Sequence, residues 1–447
     1  MRILYCYEFG ILGGVCTQLI NRLSVLAGRH GVEAHLLFAR DMGIGATLRD
    51  YPRVAFESGE EGIRRRVLDH RYDAIVVIDS PRFLEVLRET SVPPPVLEIH
   101  TTTELGLGYL SSNGHRPAGV IVPSEYSREL VRDRFAPGDE LRVEVIPNVV
   151  DRSLFEWTSV RNPPGRPVIG WVGKLDDHKN WRGFLDFAAL LTSRGTEADF
   201  WLVGGETANE SRQLELIEQI DRRGLSLCCR WFPRIEYDQM HRLYACIRQS
   251  WGAMVITSID ESFGMSALEA LVCGCPVIAS DVGGIAEIAP GRPYLQLYPF
   301  EDYESAVEQA RALLDDGAAV RNALAEERSQ LLDRFSADRV MGRYVETLRS
   351  MVGVQAPVTR RLLDAVDSIR PFLPDAERRN AEPEEFLEHL RHVLSFPSYR
   401  LARTVATRQP GLRDWLRIVA TLWRLMSSRR TRRSSRERRA QSSSAEP

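Results

Sequence analysis

Two lysines stand apart from every other basic residue in this chain. Of 58 Lys and Arg residues, only Lys174 and Lys179 are lysine. They lie close together in V-I-G-W-V-G-K-L-D-D-H-K-N-W. Lysine offers a compact, mobile ammonium that suits a phosphate oxygen, whereas arginine offers a rigid planar fork. The stretch reads as a buried strand, Val168 to Val172, followed by a glycine turn and a helix start. Strand ends of this kind receive anionic ligands in open α/β sheets. On this feature alone, a phosphate grip and two solvated surface charges are equally good readings.

A second group lies in I-D-E-S-F-G-M-S-A-L-E-A-L-V-C-G-C-P. Glu261 ends a strand loop, and Phe263, Gly264, Met265 and Ser266 open a helix whose free N–H groups form an anion site. Glu269 follows Glu261 by about two turns of 3.6 residues. The two carboxylates therefore reach two ends of an elongated ligand rather than one atom. His100 closes the run V-L-E-I-H at a strand end. Gly13-Gly14 follows the first strand and lets the chain approach a ligand closely. Each has an ordinary alternative: Glu269 as a solvated helix residue, His100 as a satisfied loop histidine, Gly-Gly as any turn.

Holding these residues in place requires a particular alternation of elements. Strands are expected at Arg2 to Tyr7, Ala34 to Phe38, Ala74 to Ile78, Val96 to Ile99, Val120 to Val122 and Val143 to Ile146, with helices between them. The Pro-rich segment Arg161 to Pro167 marks a linker. The alternation then restarts at Val168 and runs through Phe200 to Val203, Leu227 to Phe232, Ala253 to Thr257 and Val277 to Ser280. Such alternation predicts parallel sheets covered on both faces. The expected organisation is an α/β chain with two doubly wound, Rossmann-like domains, 1–155 and 156–352, facing a central cleft. A helical extension (353–427) and a basic tail (428–447) follow.

Bulk properties narrow the class. A chain of 447 residues suggests two or three domains at roughly 150 residues each. A net charge of −3 argues against a general nucleic-acid binder. The seven cysteines form no C-x-x-C pair and fit no zinc framework. Cys273-Gly-Cys275 reads as core packing. The odd count, with no signal-like N-terminus, predicts a reducing, cytoplasmic setting. No apolar run is long enough for a membrane-spanning helix. Leu412 to Met426 shows helical apolar spacing with Trp415 and Trp423, and Arg429 to Arg439 is arginine-rich. That combination predicts peripheral contact with an anionic membrane through 412–439 as readily as packing on the domain.

The Glu261–Glu269 segment resembles the E-x7-E motif of the retaining, nucleotide-sugar-dependent glycosyltransferases of family 4, which have the GT-B fold. Further likenesses keep the family's order over about residues 1 to 352. They are V-G-K-L-D-D-H-K-N for its V-G-[RK]-L-x-x-x-K-G, Pro147-Asn-Val-Val-Asp151 for its P-N-G-V-D, and Ser124 after a strand. His100 and Gly13-Gly14 also sit where the family has such residues. The resemblance implies that Lys174 and Lys179 bind the donor diphosphate. The helix start at Phe263 to Ser266 would meet sugar hydroxyls or phosphate. Glu261 would hold the donor sugar and Glu269 the ribose. His100 would sit across the cleft by the sugar, Gly13 and Gly14 near the phosphates or acceptor, and Arg234 near the nucleobase. It also implies a UDP- or GDP-sugar donor, a lipid-linked, polysaccharide or other glycan acceptor, and same-face attack with no metal or other cofactor. Two positions depart from the pattern. Asn180 replaces a glycine and tolerates left-handed geometry; Val149 replaces another and does not, so its turn must take a different shape. A GT-B nucleotide-sugar epimerase and a catalytically silent binding partner remain the alternatives.

Overall fold

In the computed structural model the described residues are 1–353, apart from 91, 112–116, 133, 136–140 and 156. The extension, the basic tail and the membrane-contact segment expected beyond them lie outside the described residues.

Seven parallel strands build the first sheet: β1 (Arg2–Gly10), β2 (Glu33–Asp41), β3 (Val54–Phe56), β4 (Ala74–Ile78), β5 (Val96–Glu98), β6 (Gly119–Val122) and β7 (Val143–Val145). Their order is β3-β2-β1-β4-β5-β6-β7. The second sheet has β8 (Val168–Val172), β9 (Asp199–Val203), β10 (Cys229–Phe232), β11 (Ala253–Ile256), β12 (Val277–Ser280) and β13 (Leu295–Tyr298), ordered β10-β9-β8-β11-β12-β13. Strands covered on both faces need continuous apolar runs. β4 (A-I-V-V-I), β11 and β12 are buried at every residue. The reading of the sequence omitted β3 and β13. β3 has only three residues and β13 is interrupted by Gln296, so neither carries such a run.

In each sheet the strand order reverses once, between β1 and β4 and between β8 and β11. Open parallel sheets bind ligands in the crevice outside the carboxyl ends of the strands at that reversal. The segments leaving these four strands are Ile11–Gly14, Asp79, Gly173–Lys179 and Thr257–Glu261. Gly13, Gly14, Lys174, Lys179 and Glu261 fall in these segments, whereas His100 follows β5 and Arg234 follows β10.

Helix α1 (Gly14–His30) leaves β1 and ends at Gly31, whose φ of 58° suits a residue without Cβ. Helices α2 (Glu125–Arg132), α3 (Trp181–Ser193), α4 (Met240–Gln249) and α5 (Met265–Val272) follow. Late in the chain come α6 (Ala318–Arg334) and α7 (Ala337–Gly353). The buried side of α6 joins the core of the second sheet through Leu324, Leu331 and Leu332. α7 instead packs Val340, Met341, Tyr344 and Leu348 into the core of the first sheet, beside α1. The chain thus crosses between the halves twice. The crossings touch at a parallel bridge, Val150 with Ser336; Val150 N–H donates to Phe335 at 2.9 Å and Ala337 N–H to Val150 at 3.1 Å. No helix among the described residues is long and apolar enough to cross a membrane.

Candidate active site

The loop from β8 to α3 carries both lysines. Asn180 is the N-cap of α3, at φ 50° and ψ 53°, and its side chain accepts from Gly183 N–H. Asparagine therefore supplies the left-handed geometry usually given by glycine and adds a cap. Just before it, Lys179 N–H donates to Asp176 at 2.8 Å. This fixes Lys179 so that its Nζ donates to Glu261 Oε1. Ser258 Oγ also donates to that oxygen, at 2.8 Å. Among the described residues no hydrogen bond reaches Glu261 Oε2, so half of the carboxylate stays available.

Lys174 behaves differently. It is exposed and makes no ion pair among the described residues. It reaches across to the first half: a Cβ built on Gly13 would stand 3.4 Å from Lys174 Cε. Gly13 is the extended N-cap of α1 and Gly14 its first residue; no side chain caps that helix start. An ammonium and an uncapped helix N-terminus therefore face the same space, which favours an anion.

The loop after β11 is held from several sides. Gly283 has φ 59°, and a Cβ there would lie 1.9 Å from the carbonyl oxygen of Glu261. Only glycine fits that approach. Gly284 N–H donates to the same carbonyl at 2.8 Å. From the first half, Ser124 Oγ donates to the Ser262 carbonyl at 2.6 Å, and Tyr126 Oη to Asp260 Oδ2 at 3.1 Å. Glu287, in turn, accepts from the N–H groups of Glu125 and Tyr126 at the start of α2. Gly264, at φ 96°, then opens α5 without a side-chain cap. Phe263 is buried edge-on against Phe335. Met265 meets Gln18 of α1, and Ser266 is half-buried.

Glu269 does not join the Lys179–Glu261 group. It is buried in α5, where Oε2 accepts from Tyr244 Oη at 2.9 Å and Oε1 lies 3.3 Å from Tyr237 Oη. Burial raises its carboxyl to about 7, against the pull of the two hydroxyls. Tyr237 Oη also lies 3.2 Å from Asn21 Oδ1 of α1. Arg234 is held by Glu206 and Glu236, which raise its already high pKa. Its Nη1 stands 3.7 Å from a Cβ built on Gly43, in the first half. The turn at Val149 does take another form: its N–H donates to Gln18 Oε1 at 2.7 Å, and its carbonyl accepts from Gln18 and Asn21.

His100, just after β5, is almost covered. Its backbone N–H donates to both oxygens of Asp79 at 3.0 and 3.1 Å, and its Nε2 lies 2.9 Å from Glu98 Oε1. Asp79 has a left-handed φ of 42°, and burial raises its pKa. Glu98 pairs with Arg22 Nη1 at 2.6 Å and accepts from Tyr344 Oη at 2.8 Å. Burial opposes ionisation of Glu98, but Arg22 and His100 outweigh it and hold the carboxyl at about 2. The reading of the sequence missed Asp79 and Glu98. Both leave a signal: a carboxylate directly after the apolar run of β4, and a carboxylate inside the run of β5, two residues from His100.

Residues 156–330 match the family described as glycosyl transferases group 1. The chain is 29% identical over 229 residues to the 2-deoxystreptamine N-acetyl-D-glucosaminyltransferase of Streptomyces fradiae, covering 49% of this chain and 52% of that one. It is 24% identical to the 2-deoxystreptamine glucosyltransferase of Streptomyces kanamyceticus (51% and 59%). It is 32% identical to a sucrose synthase of Solanum tuberosum over 34% of this chain and 19% of that one. The chain thus spans about half the length of the first of these curated relatives. Among solved structures, Anabaena Alr3699/HepE in complex with UDP and glucose superposes with a TM-score of 0.67 at 20% identity, covering 78% of this chain and 100% of that one. Sucrose-phosphate synthase from Thermosynechococcus elongatus gives 0.61 at 16% identity, with 81% and 99% covered. The fold is GT-B: two Rossmann-like halves with parallel sheets.

Proposed function

We propose that this chain, whose second half matches glycosyl transferases group 1, is a retaining glycosyltransferase. It moves a sugar from a nucleoside diphosphate sugar to a hydroxyl of a glycan, glycolipid or related acceptor. The observation that carries the reading is the Lys179–Glu261 pair, with Lys174, which makes no ion pair among the described residues, beside the helix start at Gly13. Transfer leaves a nucleoside diphosphate, so negative charge grows on the departing oxygens. Two ammonium groups and uncapped helix starts offset that charge. A UDP-sugar donor is favoured by the UDP and UDP-glucose named for the Alr3699/HepE complexes.

The bond from the sugar's anomeric carbon to the diphosphate oxygen breaks as the acceptor oxygen attacks on the same face. The acceptor proton passes to the departing phosphate oxygen. Glu261 grips sugar hydroxyls through its open Oε2 while Oε1 stays on Lys179 and Ser258; it is not the covalent nucleophile. Metal-free charge neutralisation rests on the lysines and on the absence of a D-x-D motif in the sequence. Glu269 as ribose ligand and Arg234 as nucleobase neighbour follow from the family likeness. For Glu269 this requires Tyr237 or Tyr244 to yield an oxygen.

The test is a turnover screen across UDP- and GDP-sugars with mono- and disaccharide, aminocyclitol and lipid-linked acceptors. Product with the anomeric configuration of the donor is expected. An inverted product overturns retention, and an epimerised donor without acceptor overturns transfer. Lys174→Arg should keep activity within a few-fold, because the family accepts either base there. Contact of 412–439 with a membrane belongs to the same proposal; deleting residues 405–447 should release the protein from anionic vesicles, and unchanged binding would reject it.

A further inference from the structure

Four elements converge on one buried carboxylate. Glu98 ends β5, and Oε1 takes both the Arg22 guanidinium of α1 at 2.6 Å and the His100 ring at 2.9 Å. Oε2 accepts from Tyr344 of α7 at 2.8 Å. The Arg22 guanidinium also lies over the Tyr344 ring, 4.9 Å from its centroid. Arg22 and Glu98 are each only 1% exposed. Asp79, from the end of β4, completes the set by holding the His100 backbone N–H. A buried ion pair adds little net stability over apolar packing. Its retention beside a site histidine therefore asks for another reason.

The geometry supplies one. Glu98 and His100 are two residues apart at a strand end, so their side chains share a side. A carboxylate held ionised by Arg22, and accepting a hydrogen bond from the Tyr344 hydroxyl, can only accept from His100. The imidazole must therefore carry its proton on Nε2. Among the described residues Nδ1 has no hydrogen-bond partner. In the neutral ring it is left as a lone-pair acceptor.

We propose that Glu98 is a positioning residue that locks His100 in the Nε2–H tautomer, so that Nδ1 accepts a hydrogen bond from a hydroxyl of the transferred sugar. The inference rests on the glycosyltransferase reading of this site. It adds a specificity: the site selects a neutral, hydroxyl-bearing sugar. A sugar carrying a carboxylate at that point would set an anion against a lone pair, with Asp79 close behind.

Nitrogen-15 NMR of the histidine-labelled full chain tests the tautomer without any substrate, with His100→Ala identifying the signal. The wild-type protein should show the Nε2–H form. Glu98→Gln should shift it toward Nδ1–H, because a carboxamide can also donate. The same variant should lower kcat/KM for the nucleotide sugar at least tenfold, while calorimetric affinity for UDP or GDP stays unchanged. A merely structural defect would weaken both. Should Glu98→Gln alone leave the buried Arg22 charge unpaired and the chain unfolded, Arg22→Met/Glu98→Gln removes the pair together and carries the same expectations. Tyr344→Phe should leave the tautomer in place. A wild-type Nδ1–H form, or a Glu98→Gln protein with unaltered tautomer and turnover, overturns the proposal. Should no nucleotide sugar bind the wild-type protein, the glycosyltransferase reading fails, and the tautomer measurement still decides the role of Glu98.

Discussion

The Lys179 ammonium donates to Oε1 of Glu261, 82 residues further along the chain. The contact joins the turn after β8 to the loop after β11, across the point where the strand order reverses. A double-mutant cycle on Lys179→Ala and Glu261→Ala, read by urea denaturation, should give a coupling of about 1 kcal/mol, small because the lysine is partly exposed. Each single variant should still fold and should lose at least about 100-fold in transfer, the scale for removing one charge-stabilising group. Full activity in either would remove the pair from the site.

Asn180 does two jobs at once, left-handed turn and helix cap. Asn180→Ala should lower stability by about 2 kcal/mol, combining a lost cap with left-handed strain. Asn180→Gly keeps the backbone freedom and should cost only a few tenths. Equal losses in thermal unfolding would mean that the left-handed geometry carries nothing and the cap carries the whole effect.

Gly283→Ala should damage the site without touching a charged group. Its Cβ would drive into the Glu261 carbonyl at 1.9 Å, so the loop holding Glu261 must shift. Loss exceeding about 3 kcal/mol, or a folded but inactive protein, is expected from strain of this kind. A stable variant with normal turnover would show that the loop yields freely.

Glu269 predicts a pH dependence of stability. Burial raises its folded carboxyl to about 7, above the ordinary value of 4.5. Between those values the folded protein binds more protons than the unfolded chain. Its contribution to stability is therefore largest below about 4.5, falls as pH rises toward 7 and is flat above. The change is on the order of 3 kcal/mol by linkage. Glu269→Gln should remove that slope from urea midpoints measured across this range. An unchanged slope would assign it to other groups.

Much of the fold was legible because doubly buried strands leave unbroken apolar runs. β4, β8, β11 and β12 were read near their true bounds for that reason. β3 and β13 escaped, since one is only three residues long and the other is interrupted by Gln296. Within the site, Lys179 and Glu261 carried their own chemistry in residue type and place. Glu269 was legible as part of a motif, but not as a carboxylate held by Tyr237 and Tyr244, because those contacts come from helical turns with no sequence tie to it. Glu98 was overlooked although a charge inside an apolar run marks a buried partner. That partner, Arg22, lies on a different element, and only the packing of α1 on the sheet reveals it.

The bridge between Val150 and Ser336 puts the entry and exit of the second half side by side. Topologically, that half is a guest inserted into the first, whose host chain resumes with α7. A gene that splices Val150 directly to Ala337 should therefore yield the first half as a free-standing module with its core closed. A plain cut after residue 150 should not, because it discards the helix that covers one face of the sheet.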